Sequence, residues 1–382
     1  MKTFLIFLSL LIGSLLTVKA QMLSDSIANY GIEKKCPATT YTWDWSSGVF
    51  LNSLVQKYRS ASLDDKGLYL NYIKTAMDTM YRFANGRTPN AVISGLGMAF
   101  LAQTSKDGKY YSKAKDIYND YLHIVRAYNE GVSHRSNTIE LWDDTIYMIG
   151  MYLFEMYRLT GDKKYLDNFM KQYNIHKAKL NDKKWNLWVH GWDADNQNYN
   201  DSCCMIGWAD NSLRRSNEFW GRGNGWILMT IADALQTFPK SSSNWEELKK
   251  DLIKMTAHLP ELQNNETGHW SQLPIYPQDS LNFEESSCTA MFSYAMLIGM
   301  KLKILNNQIF KPVVDRAYFG LRKYSIRKDN NKSLIPYRVC EGTCIGNKAY
   351  YYNRKTTDAP AFGVGIFVMF SLQYEQFNIG KN

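Results

Sequence analysis

The sequence predicts an all-α fold, an α/α barrel of about six helical hairpins, and three observations predict it. Apolar residues recur at three-to-four spacing through eleven segments, the signature of helices with a buried face. Strand-like alternation is scarce and short. A turn motif also repeats, with Gln103-Thr104-Ser105-Lys106-Asp107-Gly108-Lys109-Tyr110 echoed 55 residues later by Arg158-Leu159-Thr160-Gly161-Asp162-Lys163-Lys164-Tyr165. A helix, a tight Gly/Asp turn and a second helix at this period describe repeated hairpins. About a dozen such helices close into a toroid, with an open solenoid as the structural alternative. Closure carries a consequence: loops from one end of every hairpin converge on a single central pocket.

The segments follow in order. The first, 48–58, spaces Phe50, Leu54 and Tyr58 along one face, and 68–83 does the same with Tyr69, Ile73, Met77 and Met80. In 94–103 the stripe is Leu96 and Phe100, and in 111–128 it is Ala114, Tyr118 and Tyr121. Segment 145–159 carries Ile149, Tyr152 and Met156, and 165–172 carries Tyr165, Phe169 and Met170. Leu228, Ile231, Leu235 and Phe238 mark 225–238, and Trp245, Leu248, Leu252, Met255 and Leu259 mark 245–259. The last three are 289–305, 313–325 and 363–377, with Ala295 and Ile298, Val314, Ala317 and Leu321, and Phe370, Tyr374 and Phe377.

Ahead of these lies a targeting pattern. Met1-Lys2 gives a positive start, 3–16 is a nearly unbroken apolar run, and Val18-Lys19-Ala20 offers small or short residues where a signal peptidase reads. Residues 1–20 are therefore expected to be a cleaved leader, and the mature protein to be secreted, extracellular or periplasmic. Residues 21–382 contain no linker-like tract, so one domain is expected, and no other stretch reads as a membrane span. The formal charge of +9 favours anionic partners such as acidic polysaccharides. Lys and Arg are scattered rather than gathered into a stripe, which argues against nucleic acid. The six cysteines fit no zinc spacing and suggest disulfides in an oxidising compartment, the short Cys340/Cys344 pair being the easiest to bridge. Three Asn-x-Ser/Thr sequons begin at Asn200, Asn265 and Asn331.

Chemistry-bearing residues cluster between the helices. Tyr41-Thr42-Trp43-Asp44-Trp45 precedes the first, and Leu141-Trp142-Asp143-Asp144-Thr145 a later one. Trp188-Val189-His190-Gly191-Trp192-Asp193 lies in a long connection, and Phe219-Trp220-Gly221-Arg222-Gly223-Asn224-Gly225-Trp226 opens the next helix. Any one of the eleven tryptophans is as readily core filling as a ligand platform. Their grouping beside Arg, His and Asp in loops points instead to sugar stacking.

These stretches, with Trp208-Ala209-Asp210, Gly268-His269-Trp270-Ser271-Gln272, residues 284–292 and Thr357-Asp358 before Gly363-Val364-Gly365, stand in an order that resembles the unsaturated rhamnogalacturonyl hydrolases, glycoside hydrolase family 105. Kinship extends to the unsaturated glucuronyl hydrolases of family 88, and the resemblance covers nearly the whole mature chain. It implies an (α/α)6 barrel and an oligosaccharide substrate ending in a uronate with a C4=C5 double bond, left by a lyase. It implies that a carboxylic acid protonates C4, that water adds at C5, and that the opened ring releases the neighbouring sugar, with no metal or organic cofactor.

The acid matching the family's Trp-x-Asp pattern is Asp144, with Asp143 as fallback; the plain structural reading of both is helix capping. Trp142 and Trp226 are implied as stacking platforms, with Trp220 and Trp45 behind them. His190 and Arg222 are implied as donors to the uronate or its hydroxyls, and His134 sits where the family keeps a site histidine. The sequence departs from the family at Asn90, in Pro89-Asn90-Ala91-Val92-Ile93-Ser94-Gly95, where the family carries a second aspartate. Asn90 retains hydrogen bonding to a substrate hydroxyl or water but supplies no base. The other readings are a glycan-binding protein that keeps the pocket without catalysis, and an α/α-barrel glycosidase or lyase of saturated substrates.

Overall fold

The computed structural model describes residues 22–198 and 203–379. The expected leader, 1–20, and the Asn200-Asp201-Ser202 sequon lie outside them. Twelve α-helices of eight residues or more run in chain order: α1 (Leu23–Tyr30), α2 (Trp45–Ser60), α3 (Leu63–Met80), α4 (Gly95–Ser105), α5 (Gly108–Leu122), α6 (Asp144–Thr160), α7 (Lys164–Leu180), α8 (Gly221–Thr237), α9 (Ser243–Thr256), α10 (Ser286–Lys301), α11 (Asn307–Tyr324) and α12 (Ala361–Ile379). The even-numbered helices pack in sequence, α2 on α4, α4 on α6, α6 on α8, α8 on α10 and α10 on α12; α12 then packs on α2 and closes the ring. The odd-numbered helices form an outer layer, and α1 covers α12. This is the (α/α)6 barrel the sequence predicts.

Burial follows composition. Inner helices such as α8 and α10 are buried nearly all round, and their sequences are apolar or small on every face. Outer α9 buries only a stripe, Trp245, Leu248, Asp251, Leu252, Met255 and Thr256, and gives lysines and glutamates to water. The repeated turn also has a structural counterpart. Lys106 and Gly161 each end an inner helix in the left-handed region, at φ 56° and 71°. Asp107 then caps the following helix by accepting from the backbone N–H of Lys109, and Asp162, one residue ahead of the N-cap Lys163, accepts likewise from that of Lys164. Among the described residues, no helix is long and apolar enough to cross a membrane.

Several expectations are corrected. The twelfth helix, α1, is absent from the eleven predicted. The sequence places the start of the 313–325 helix after Pro312, but α11 begins at Asn307 and holds Pro312 inside it. The glycine-rich 221–224 stretch reads as loop yet forms the first turn of α8. The disulfide joins Cys203 to Cys344, with Cα atoms 6.0 Å apart, and not Cys340 to Cys344; Cys340 is a buried thiol.

All six inner helices start at one mouth of the barrel. Their other ends surround a polar cavity where Glu155 of α6 is buried between Arg59 of α2, which donates to both its oxygens at 2.7 Å, and Arg158. Replacing Glu155 with alanine leaves two guanidinium groups without their partner. Both arginines are about a third exposed, so the expected cost is about 3 kcal/mol, the low end for breaking a buried ion pair. Chemical denaturation of the variant measures it.

Candidate active site

At the mouth formed by the helix N-termini, a cavity of ≈ 270 Å³ is lined by Trp45, Asn90, His134, Arg135, Trp142, Asp144, Met148, Cys203, Trp220, Arg222, Gly342, Thr343 and Cys344. Local structure explains why these meet. A two-stranded antiparallel ladder pairs Glu140–Trp142 with Gly191–Asp193, Trp142 facing Gly191. The N–H of Asp143 then donates to the carbonyl of His190 at 3.0 Å. The ladder thus delivers Trp142, Asp144 and His190 to one place, where α6 begins.

Aromatic stacking fixes the walls. His134 lies parallel to Trp142 at a ring distance of 4.5 Å, and His190 stacks on Trp220 at 4.4 Å. The Trp142 indole N–H donates to Glu140 Oε2 at 2.6 Å, which fixes that ring. Trp45 stands 4.6 Å from Phe362 on the opposite side. Asn90 sits on a helical turn, Pro89–Val92, capped by the Thr88 hydroxyl.

Asp144 is the one carboxylate lining this cavity among the described residues, and its side chain is 14% exposed. Its Oδ2 lies 3.2 Å from His190 Nε2, and His190 Nδ1 lies 2.8 Å from the Tyr351 hydroxyl. Burial pushes His190 toward its neutral form. The consistent pattern is therefore Tyr351 O–H donating to Nδ1 and Nε2–H donating to an ionised Asp144. Burial raises the Asp144 carboxyl, but His190 outweighs it and holds the group below the ordinary carboxylate range. Burial pushes His134 down to about 4, so it is neutral at ordinary pH.

Asp143 occupies the N-cap position of α6 yet caps nothing, which corrects the helix-capping reading. It is fully buried, neither carboxyl oxygen has a hydrogen-bond partner of normal geometry, and it does not reach the cavity. Burial first, and then the charge of Asp144, push its carboxyl well above the ordinary range. Ligand atoms of Asp143, Asp144 and His190 lie within 4.8 Å of one another. Both His190 nitrogens are already hydrogen-bonded, one to Tyr351 and one to Asp144.

Trp45, Asn90, His134, Trp142, Asp144, Trp220 and Arg222 converge on the cavity; Asp143, His190 and Trp226 do not line it. Trp226 is wholly buried 4.6 Å from the Tyr147 ring, one helical turn deeper than Arg222, so its expected role as a platform is corrected to core packing. Arg222 lines the cavity, but two of its donors are spent on the carbonyls of Cys340 and Glu341, at 2.8 and 2.7 Å. Its guanidinium also covers Trp220 at 4.6 Å. It thus anchors the 340–341 segment over the pocket. Arg135, beside His134 in the chain, and Tyr351 were not singled out by the sequence. Arg135 had a signal in its neighbour; Tyr351 had none. The Cys203–Cys344 disulfide forms part of the wall.

Comparison with known proteins matches this arrangement to a family. Residues 22–378 match the model of Glycosyl Hydrolase Family 88. The unsaturated rhamnogalacturonyl hydrolase YesR of Bacillus subtilis (strain 168) is 26% identical over 281 residues, 71% of this chain and 75% of that protein. An unsaturated 3S-rhamnoglycuronyl hydrolase of Alteromonas sp. (strain LOR) is 27% identical over 182 residues, 48% of this chain and 40% of that one. Among solved structures, a family 105 glycoside hydrolase of C. acetobutylicum ATCC 824 shares the fold with a TM-score of 0.81 at 24% identity, covering 93% of this chain and 100% of its own. The family match runs through the barrel to one residue short of the end of α12 and takes in every residue that lines the pocket, and the chain belongs to glycosyl hydrolase family 88.

Proposed function

We propose that this chain removes a 4,5-unsaturated uronate from the non-reducing end of lyase-generated oligosaccharides, with rhamnogalacturonan fragments as its substrate class, and that it works outside the cytoplasm. One observation carries the chemistry: among the described residues, a single carboxyl group, Asp144, faces a cavity of about one sugar ring. A saturated glycoside needs two carboxyls flanking the anomeric carbon. A vinyl ether needs one acid, because protonation of C4 already places positive charge on C5 and the ring oxygen. Asp144 gives its proton to C4, water adds its oxygen to C5, and the water's proton returns to Asp144. The hemiketal then opens and expels the neighbouring sugar.

The other side chains suit this course. Trp45, half-buried at the mouth, offers its face to the ring and favours its developing positive charge, while Trp142 and Trp220, stacked on His134 and His190, form the walls. Arg135 supplies a cation for the uronate carboxylate, beside the buried charge of Arg222. Asn90 offers an amide to a hydroxyl or to the attacking water. The rhamnogalacturonan assignment is supported by what YesR is named for, and the extracellular site by the leader pattern at 1–20.

A substrate panel tests the assignment. Unsaturated rhamnogalacturonan disaccharide is expected to be turned over with a kcat/KM at least about tenfold above an unsaturated glucuronan disaccharide, a difference within reach of one sugar's contacts. Its saturated counterpart should be inert. Reversal of the first preference overturns the substrate class, and cleavage of the saturated sugar overturns the chemistry.

A further inference from the structure

The hydrolase reading leaves one requirement unmet. A general acid must hold a proton when the substrate arrives, yet Asp144, the carboxyl that faces the cavity, hydrogen-bonds His190 and is held in its ionised form. His190 is neutral and spends its one N–H on that bond. Asn90, across the pocket, has no proton of suitable acidity. Among the described residues, the acid grouped with Asp144 and His190 is Asp143.

The geometry points to Asp143 as the positioning acid of this site: it stores the catalytic proton in the resting enzyme and passes it to Asp144 as the substrate is bound. The inference rests on the proposed hydrolase activity and deepens it. Three structural facts support it. Asp143 stands where an aspartate ordinarily caps a helix, and its carboxyl makes no cap. It is sealed from solvent, because the first turn of α8 is pressed against it; a Cβ on Gly223 would lie 2.1 Å from Asp143 Oδ2. An ionised carboxylate there would have neither water nor a normal hydrogen-bond partner, so the neutral acid is the form this environment accepts. Finally, a carboxyl oxygen of Asp143 lies within 4.8 Å of one of Asp144, a gap that a small movement of either side chain closes to hydrogen-bond distance.

The groups around the pair are few. Asp144 adjoins it on α6, His190 Nε2 lies 3.9 Å from Asp143 Oδ1, Tyr351 bonds the far side of His190, His134 and Arg135 line the cavity with Asp144, and Arg222 is on the facing turn of α8. In the resting state the proton is on Asp143 and the negative charge on Asp144. An incoming uronate brings a second negative charge toward Asp144 and favours transfer of the proton from Asp143. The Asp144 O–H bond then breaks as the C4–H bond forms from the alkene electron pair. Water's oxygen bonds C5, its proton goes to Asp144 and from there back to Asp143, and the pair regains its starting protonation. No oxidant, reductant or additional acid is consumed.

The test is Asp143→Asn, which keeps the shape and neutrality of the protonated acid but carries no transferable proton. At neutral pH kcat is expected to fall about 100-fold, within the range for proton-transfer catalysis, with KM changed less than about twofold because the group does not touch the sugar. The pH profile is the decisive readout. In the parent, activity falls as pH rises through the raised upper step of the coupled pair. In the variant the proton must sit on Asp144 alone, so this limb moves to lower pH and activity recovers on acidification. A variant limb at the parent's position overturns the inference, whatever the loss in rate. Should the variant fail to fold, infrared spectra decide. A protonated-carboxyl band at neutral pH that persists in Asp144→Asn supports the stored proton, and a parent protein without such a band overturns it. A parent inactive on every unsaturated disaccharide overturns the hydrolase reading itself, a result separate from an unmoved pH limb in an active enzyme.

Discussion

Replacing Asp144 with asparagine is expected to lower kcat about 10³-fold, well inside the 10²–10⁴-fold range for a positioned proton donor. The side chain is the one carboxyl that lines the cavity among the described residues, so no neighbour substitutes for it. Asparagine fills the same volume and still accepts from His190 Nε2, so the pocket keeps its shape. Binding of the unsaturated disaccharide should therefore change little, and the loss should fall on kcat. Steady-state kinetics separate the two. More than a tenth of the parent's turnover in this variant would remove Asp144 from the role of acid.

The second large effect is expected from Gly223→Ala, a change that ordinary helix energetics favours. Alanine is the better helix former by roughly 1 kcal/mol in a helix interior, and Gly223 lies in the first turn of a well-packed helix. The added Cβ would nevertheless meet Asp143 Oδ2 at 2.1 Å and its Cγ at 2.8 Å. The carboxyl must move, and Asp144 and His190 are on its other side. The expected result is a folded barrel whose kcat is down about 100-fold, matching the loss of the stored proton. Combined with Asp143→Asn, the alanine should add little further loss, because both act on one group. An active Gly223→Ala enzyme would mean that the position of Asp143 is immaterial.

Much of the fold was legible because it is local. The echo between residues 103–110 and 158–165 reflects a real structural unit, a left-handed residue followed by an aspartate cap, and closure of such units gives the barrel. What escaped is what depends on distant chain. The helix Leu23–Tyr30 is only eight residues long and gains its stability by covering the last helix, a contact between the two ends of the chain. The disulfide joins residues 141 apart; the shorter Cys340/Cys344 spacing carried no information about the loop that brings Cys203 to Cys344.

The site divides in the same way. Asp144, Trp142, Trp45, Trp220 and Asn90 were legible because each lies within a few residues of the start of an inner helix, and those starts share one mouth; His134, ten residues ahead of Asp144, was placed by the family resemblance. Trp226 was misplaced by a boundary. A helix starting near Gly225 puts that ring at the mouth, whereas the observed start at Gly221 carries it one turn inward, among core aromatics. Asp143 and Asp144 are neighbours in sequence, but successive helical residues point about 100° apart. One carboxyl therefore faces the cavity and the other faces α8, a distinction that only the packed structure makes.

The most direct test of the account follows two signals in one reaction: loss of the C4=C5 ultraviolet absorbance and appearance of the neighbouring sugar's new reducing end, with unsaturated rhamnogalacturonan disaccharide as substrate. The account predicts that both proceed together with the parent protein and that both are absent with Asp144→Asn. A reducing end that appears while the absorbance persists would contradict it, because the glycosidic bond would then have been cut without hydration of the alkene.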